Sequence, residues 1–271
     1  MTVEVSSLAM DERGGRICLV TLGGGQRANA LGQADWVRLR ALFRAARRRG
    51  DLRAILVRGA GSTFTAGSDM HEWLRASERA VRRSLALIEA TCEAIEEVPV
   101  PVIAQVRGVA AGAGCQLALA CDFQVVSATA RMGMPILRFG LLPPRSFTLR
   151  LMEHAGAAKA RELLVTGRML TGLEAADAGL ATHCAADVEI EVLTRSLLEA
   201  VSLQPPPAVE AAKSAVREGL RASRRAARPR RRERSVLRDR FRSSLEAFLL
   251  QPRTTSGVDQ LAGRRVGDVE G

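Results

Sequence analysis

Two glycine-rich turns are the parts of this sequence best suited to chemistry. One covers residues 63–70 and the other residues 108–115, and each follows a short apolar segment. Because small side chains leave backbone N–H groups exposed, each turn can approach a ligand closely. The second turn also precedes a helical pattern, whose first amides carry the positive end of the helix dipole. Two N–H groups converging from different turns would stabilise a thioester oxygen that gains negative charge as an enolate.

The segments around these turns predict an α/β order of elements. Four short apolar runs predict strands, at 17–22, 54–58, 100–106 and 122–127. Helical spacing predicts helices between the strands, at 31–49, 77–97 and 115–120. Helical patterns dominate after Ser146. We therefore expect strands to alternate with helices up to about residue 127 and the C-terminal third to be almost entirely helical.

A third glycine-rich stretch, residues 23–28, fits the G-x-G-x-x-A pattern of a dinucleotide fingerprint. In that fold an acidic residue at the end of the second strand binds the ribose. Here Arg58 and Gly59 occupy that place, and Leu31 and Gly32, which come after Asn29 and Ala30, make a poor uninterrupted start for a helix. We therefore interpret this stretch as a turn rather than a nucleotide site.

In their order and spacing, the two turns at 63–70 and 108–115 resemble the crotonase superfamily of enoyl-CoA hydratase and isomerase relatives. The resemblance runs over nearly the whole chain. It rests on residues 27–31 (RANAL), 66–69 (AGSD), 106–122 (VRGVAAGAGCQLALACD), Met134-Pro135 with Gly140 and Pro143, and 157–180. It implies an α/β fold, a crotonase-like spiral of ββα turns with a C-terminal helical trimerisation region. The chain would then divide into a core with the acyl-CoA site at 1–200 and a helical region at 201–271.

The resemblance also implies roles for individual positions. The backbone amides of Ser68 and Ala113 would form the oxyanion hole, and alanine is acceptable at 113 if its φ is negative. Arg27 would lie against the phosphates of coenzyme A, and Asp69 would mainly stabilise its own turn. The complete set of implied cofactor-binding positions is Arg27, Ala28, Ala30, Ala66, Gly67, Asp69, Met70, Gly112 and Gly114. Coenzyme A would enter as part of the substrate, with no covalently bound cofactor and no metal, and the protein would form a homotrimer or hexamer.

The positions of the family's two catalytic glutamates fall on Gln116 and Ile136. Glutamine can hold a water molecule but cannot take its proton, and isoleucine can do neither. Because general acid–base catalysis contributes about 10²–10⁴-fold, the loss of both groups should leave little hydratase activity. Isomerases of the family keep the second carboxylate, so Ile136 also counts against isomerisation.

Three functions remain open on this scaffold. The first is a thioester enzyme of the hydratase/isomerase type, the second a decarboxylase or hydrolase, and the third a non-catalytic acyl-CoA binder. Decarboxylation of a malonyl-type thioester needs a stabilised enolate and no strong base, so an oxyanion hole would suffice. His71 and Arg138 could orient a carboxylate or supply a proton, with Glu72 as a weaker candidate acid, although a histidine at the rim of a site is the more common case.

The charge of the chain is concentrated in one segment. The formal net charge is +11, and residues 221–234, with eight arginines and one glutamate, carry +7 of it, which leaves +4 for the rest. Such a run can bind nucleic acid or an anionic membrane, but a solvated helix face is the more ordinary interpretation, and a phosphate contact at the coenzyme site is a third. Aromatic residues make up 3% of the chain and tyrosine is absent, so stacking platforms are scarce and we do not expect nucleic-acid binding.

Compartment and solubility follow from what the sequence contains. The five cysteines are odd in number and scattered, which is typical of reduced thiols. No segment approaches the roughly 20 uninterrupted apolar residues of a membrane span, and residues 1–15 lack the layout of a signal peptide. We expect a cytoplasmic protein that does not enter the membrane.

Overall fold

The computed structural model describes residues 3–10, 15–24, 27–226 and 231–249, with the side chains at 5–10, 225–226 and 231–238 left aside. The strands are Glu4–Met10 (β1), Arg16–Leu22 (β2), Leu52–Gly59 (β3), Val102–Val106 (β4), Val109–Ala111 (β5), Phe123–Ser127 (β6), Arg131–Gly133 (β7), Met169–Thr171 (β8) and His183–Ala185 (β9). The α-helices are Gln33–Ala46 (α1), Met70–Leu74 (α2), Glu78–Glu96 (α3), Ala113–Ala120 (α4), Arg145–Thr166 (α5, interrupted at Gly156), Gly172–Asp177 (α6), Ile190–Ser202 (α7), Pro206–Ala226 (α8) and Arg231–Leu249 (α9). Short 3-10 helices cover Arg27–Asn29 and Pro135–Phe139.

The strands form two sheets that repeat one pattern along the chain. The larger sheet has the order β1-β2-β3-β4-β6-β9, in which β1 is antiparallel to β2 and the other neighbours are parallel. The smaller sheet has the order β5-β7-β8. After β4 the chain forms β5 and α4, and after β6 it forms β7 and α5. After β2 and β3 the short second strand is reduced to single bridges, Leu31 to Ser68 and Thr65 to Ala110. This is the ββα repeat that the sequence predicts.

Both faces of the central strands β3, β4 and β6 are buried, which explains why these strands are nearly continuous apolar runs. In β3, Ile55 and Val57 belong to the main core, whereas Ala54 and Leu56 face a second, smaller cluster. The smaller cluster includes Ile190 of α7, which therefore covers that face. Helices α1 and α3 pack on the main-core side.

The predicted strands and the helices α1, α3 and α4 are confirmed within a few residues at each end. Strands β1, β5, β7, β8 and β9 were not predicted. Helices predominate in the described part of the chain after Ser146, as expected, and the three-residue strands β8 and β9 interrupt them. The predicted turn at 23–28 falls partly outside the described residues. Its visible end, Arg27–Asn29, is a 3-10 turn and not the start of a helix, which agrees with the rejection of a dinucleotide fingerprint.

The C-terminal helices lie against the core. Leu245 and Phe248 of α9 are buried in the main cluster, and the guanidinium of Arg82 lies 5.0 Å from the centre of the Phe241 ring. The division at residue 200 stays a prediction, and residues 250–271 lie outside the described part of the chain. None of the described helices is long and apolar enough to cross a membrane.

Helix α8 carries the first part of the arginine-rich segment and is attached to the core through ion pairs. Its cations pair with core acids as follows: Lys213 with Asp122, Arg221 with Glu97, and Arg224 with Glu96 and Glu153. Arg221 and Arg224 thus lie on a helix face that packs against the core and is partly exposed to solvent. The side chains of the predicted segment from 225 to 234 lie outside the described residues.

Candidate active site

The two glycine-rich turns lie in direct contact. The Thr65 N–H donates to the Val109 carbonyl at 2.9 Å, and the Ala111 N–H donates back to the Thr65 carbonyl at 3.2 Å. Gly67 has a φ of 92°, and a Cβ placed on it would lie 2.6 Å from the Ala111 oxygen and 3.0 Å from the Ala113 nitrogen. A side chain at position 67 would therefore force the turns apart. Glycine at this position brings the two sets of amides together.

The two amides predicted to form the oxyanion hole are both left without an acceptor. Within the described part of the chain, neither the Ser68 N–H nor the Ala113 N–H donates to another protein group. The neighbouring amides of Gly67, Asp69 and Gly112 all donate internally. Ala113 is the first residue of α4, so its N–H has no partner within the helix. Two unpaired N–H groups on touching turns are an arrangement that can stabilise a developing negative charge.

The backbone at the start of α4 accommodates the alanine at 113. Gly112, with a φ of 54°, takes the left-handed conformation, and Ala113 lies in the helix with negative φ. The prediction required a negative φ for an alanine at this position, and the structure has one. Gly114 follows, and a Cβ on it would lie 3.2 Å from the Gly67 nitrogen. The glycines on both sides of Ala113 thus provide the turn and the close approach.

A left-handed turn of three non-glycine residues borders the first glycine-rich turn. Arg27, Ala28 and Asn29 have φ values of 47°, 49° and 55°, a conformation that costs roughly 1–2 kcal/mol per residue. The buried Asn29 side chain compensates, because its amide donates to the carbonyls of Ala60 and Thr63 at 2.9 and 2.6 Å. The strained turn is therefore held in place by the loop that follows β3.

The implied coenzyme-binding positions follow one another along this strip. The Ala66 N–H donates to the Ala28 carbonyl at 2.8 Å, which joins the two segments. Ala30 is buried, and Met70 is partly buried against the main core. The structure thus brings together residues 27–30 and 66–70, with 112–114 on the adjoining turn. Their roles toward coenzyme A stay predictions.

Asp69 has two partners within the protein. Its Oδ1 accepts the His71 N–H at 2.9 Å and so caps α2, which is a turn-stabilising role. Its Oδ2 pairs with Arg27 Nη1 at 3.0 Å. The Asp69 side chain is 8% exposed, but that of Arg27 is 60% exposed. A pair with one end in solvent contributes little stability, so Arg27 can turn toward another anion at small cost.

Gln116 is buried and does not point a free amide toward the hole. Its Oε1 accepts from Arg150 Nη1 at 3.0 Å. Its Nε2 donates to the Phe147 carbonyl at 3.3 Å and contacts Met134 Sδ at 3.5 Å. The amide is therefore engaged on both sides. The family resemblance predicted that Gln116 lies at the site, but it did not predict these hydrogen-bond partners.

Arg150, which sequence reasoning missed, is the centre of a buried ionic cluster. Its side chain is 1% exposed and pairs with Glu89 at 3.3 Å and Glu96 at 2.9 Å. Glu96 also pairs with Arg224 at 3.0 Å. Burial alone would raise the pKa of Glu96, but the two guanidinium groups outweigh it and hold that pKa below its usual value. The sequence signal for such a cluster was an arginine on the same helix face as Phe147 and Leu151, which are both buried. A charged residue on the apolar face of a helix indicates a buried ionic partner.

The other candidate side chains do not assemble an acid–base pair. Ile136 lies in the 3-10 helix Pro135–Phe139, partly buried against the main core. Glu72 accepts the Gln33 N–H at 3.0 Å, so its carboxylate caps α1 rather than facing the hole. Arg138 is exposed, and His71 is partly exposed on α2. Among the described residues, no group of three or more His, Cys, Asp or Glu side chains could hold a metal ion.

The ββα repeat places two backbone amides without acceptors on turns that touch each other. Comparison with known proteins gives the family. The model of the enoyl-CoA hydratase/isomerase family matches residues 12–249, and the chain belongs to this family.

Individual relatives agree with this assignment. YngF of Bacillus subtilis (strain 168), which carries the name enoyl-CoA hydratase/isomerase, is 34% identical over 205 residues, or 75% of this chain and 79% of its own. The human mitochondrial enoyl-CoA hydratase domain-containing protein 2 is 34% identical over 222 residues, or 80% of this chain and 75% of its own. The crystal structure of an enoyl-CoA hydratase from Bacillus anthracis covers 95% of both chains at 26% identity with a TM-score of 0.74. The predicted crotonase-type fold is thereby confirmed.

Proposed function

We propose that this protein processes acyl-CoA thioesters by stabilising the enolate oxygen with the N–H groups of Ser68 and Ala113. The observation that carries the proposal is that these two amides, on touching turns, lack an acceptor within the described residues. Coenzyme A would lie along residues 27–30 and 66–70, with the exposed guanidinium of Arg27 beside its phosphates.

Hydration is the reaction that the side chains support least. Gln116 is held by Arg150, and Ile136 brings no proton acceptor. Decarboxylation of a malonyl-type thioester fits better. In that step the bond between C2 and the carboxylate breaks, its electron pair forms the enolate, and carbon dioxide leaves. A solvent proton then adds to C2, and the protein needs to supply only the oxyanion hole.

A non-catalytic acyl-CoA binder is the second candidate. The engaged amide of Gln116 favours it, because a site that binds thioesters without a base can retain them unchanged. We also expect a cytoplasmic homotrimer or hexamer, which sedimentation of the purified protein would test.

Mass spectrometry of the protein incubated with malonyl-, enoyl- and saturated acyl-CoA thioesters tests the proposal. Loss of carbon dioxide would support the decarboxylase, and gain of water would show that hydration survives without the glutamates. Retention of an unchanged thioester on the native protein would support the binder. A protein that neither binds nor converts any of these thioesters would contradict the proposed function.

A matched pair of variants tests the backbone donor itself. Ala113 is the first residue of α4, where proline is tolerated and removes the N–H group. Ala113→Pro should lower turnover by roughly 10²-fold or more, whereas Ala113→Ser, which keeps the N–H, should stay close to the wild type. Circular dichroism must show that both variants fold. Equal activity of the two folded variants would exclude the Ala113 N–H as a donor.

A further inference from the structure

Ser68 carries a polar atom that has no partner. Its hydroxyl oxygen is buried, and no hydrogen-bonding group of the described chain reaches it, although the residue as a whole is partly exposed. Burying a hydroxyl without a partner costs free energy, so such an atom calls for an explanation. Ser68 is also the residue whose backbone N–H is free at the hole.

The polar groups nearby are already engaged with one another. The Thr65 hydroxyl donates to the Asn29 carbonyl at 2.7 Å and accepts the Gly67 N–H at 3.0 Å. Asp69 caps α2 and pairs with Arg27. Within the described residues, the buried Ser68 hydroxyl is therefore left without a partner in the ligand-free protein.

Covalent geometry keeps the hydroxyl close to its own backbone nitrogen, and a rotation about χ1 would turn it from its buried position toward a ligand bound at that nitrogen. The Oγ atom is attached to Cβ of the same residue and lies about 3 Å from its own backbone nitrogen in two of the three staggered rotamers. A ligand oxygen about 2.9 Å from that nitrogen is then within reach of the O–H group. No base lies within hydrogen-bond distance of Oγ, so the hydroxyl is not an activated nucleophile.

We propose that Ser68 supplies two donors to the thioester oxygen, its N–H and its O–H, so that the hole has three donors with the Ala113 N–H. The inference rests on the proposed function and refines it. A third donor favours substrates whose reaction passes through a full enolate, such as 3-oxoacyl or malonyl-type thioesters. Saturated thioesters, which enolise poorly, gain less from it.

The experiment compares wild type, Ser68→Ala and Ser68→Thr with two probes. Acetoacetyl-CoA has an acidic C2 and forms an enolate with a distinct ultraviolet band, whereas butyryl-CoA does not. In Ser68→Ala we expect roughly tenfold weaker binding of acetoacetyl-CoA, as for the loss of one hydrogen bond to a charged group, a smaller enolate band, and less than about twofold change for butyryl-CoA. Ser68→Thr, which keeps a hydroxyl, should recover the enolate band.

The free protein provides an independent readout. Because the hydroxyl is unpaired without ligand, its removal in Ser68→Ala should raise the Tm of the ligand-free protein by about 2–4 °C. A lower Tm would mean that the hydroxyl has a structural partner and would overturn the inference. An unchanged enolate band in Ser68→Ala would also overturn it, while leaving the proposed function intact. Failure of the wild type to bind either thioester would instead contradict the proposed function.

Discussion

Replacing Arg150 with methionine tests the account of the buried cluster behind the site. Methionine keeps the unbranched length of the arginine stem and removes the charge. The guanidinium is 1% exposed and contacts Glu89, Glu96 and Gln116. After the change Glu89 loses its cation and Gln116 Oε1 loses its donor, while Glu96 keeps Arg224.

The expected loss of stability is large because Arg150 is buried, and its loss leaves the buried Gln116 and two carboxylates that are only 20% exposed without its guanidinium. Breaking a buried pair by removing one member typically costs about 3–5 kcal/mol. For a chain of this size, each kcal/mol lowers Tm by about 2–4 °C. We therefore expect Arg150→Met to lower Tm by about 6–20 °C and to shift the urea midpoint accordingly.

The assay is urea unfolding followed by circular dichroism, with two graded controls. Arg150→Lys keeps the charge but not the planar fork, so it should fall between the wild type and Arg150→Met. Glu89→Gln removes a partner that is 20% exposed and should cost less than Arg150→Met. If Arg150→Met lowers the free energy of unfolding by less than about 1 kcal/mol, the cluster contributes no more than an ordinary surface ion pair and the reasoning is refuted.

The same cluster predicts a pH dependence. The folded-state pKa of Glu96 lies below its usual value, since the two guanidinium groups outweigh the effect of burial. Its contribution to stability is therefore present above the unfolded pKa of about 4.3 and is lost as the pH falls through the lower folded value. The gap in stability between wild type and Arg150→Met should narrow in acid, and a gap independent of pH would argue against Glu96 as an ionised partner.

Three further predictions follow from individual contacts. Gly67→Ala should destabilise the protein and abolish thioester binding, because its φ is 92° and the new Cβ would lie 2.6 Å from the Ala111 oxygen; near-normal binding by calorimetry would contradict the close approach. Gln116→Glu should fail to restore hydration in a water-addition assay, because the new carboxylate would lie beside Arg150; rapid hydration would show that it is a free base. Hydrogen bonding from the Thr171 N–H, with a smaller contribution from a neighbouring guanidinium, lowers the pKa of Glu174 to about 2. Glu174→Gln should therefore reduce stability at pH 7, by urea unfolding, and the difference should vanish as the pH falls from about 4.5 through about 2.

The sequence predicts the elements that position the hole because these are strongly patterned. The strands β2, β3, β4 and β6 are buried on both faces, so each reads as an apolar run. Adjacent parallel strands end at one edge, and the turns that follow β3 and β4 must therefore meet there. Strands β8 and β9 have three residues each and carry no such run, so their pairing with β7 and β6 defines them.

The rest of the site depends on contacts between distant parts of the chain. Arg150 pairs with acids 54 and 61 positions away, so its burial could be suspected from α5 but its partners could not. The left-handed turn at Arg27–Asn29 has no glycine, and it exists because the Asn29 amide bonds to the loop after β3. The free hydroxyl of Ser68 is likewise a property of packing rather than of pattern.

The buried cluster also explains why glutamine suits position 116. Two cations, Arg150 and Arg224, already face the three carboxylates of Glu89, Glu96 and Glu153, so the cluster carries a net negative charge. A glutamate at 116 would add a further charge to a fully buried position, whereas glutamine accepts the same hydrogen bond while neutral. An ionised glutamate there would also be pinned by the guanidinium, which would lower its pKa and weaken it as a base. Gln116 and Arg150 thus form one arrangement, in which a neutral acceptor pairs with a buried cation.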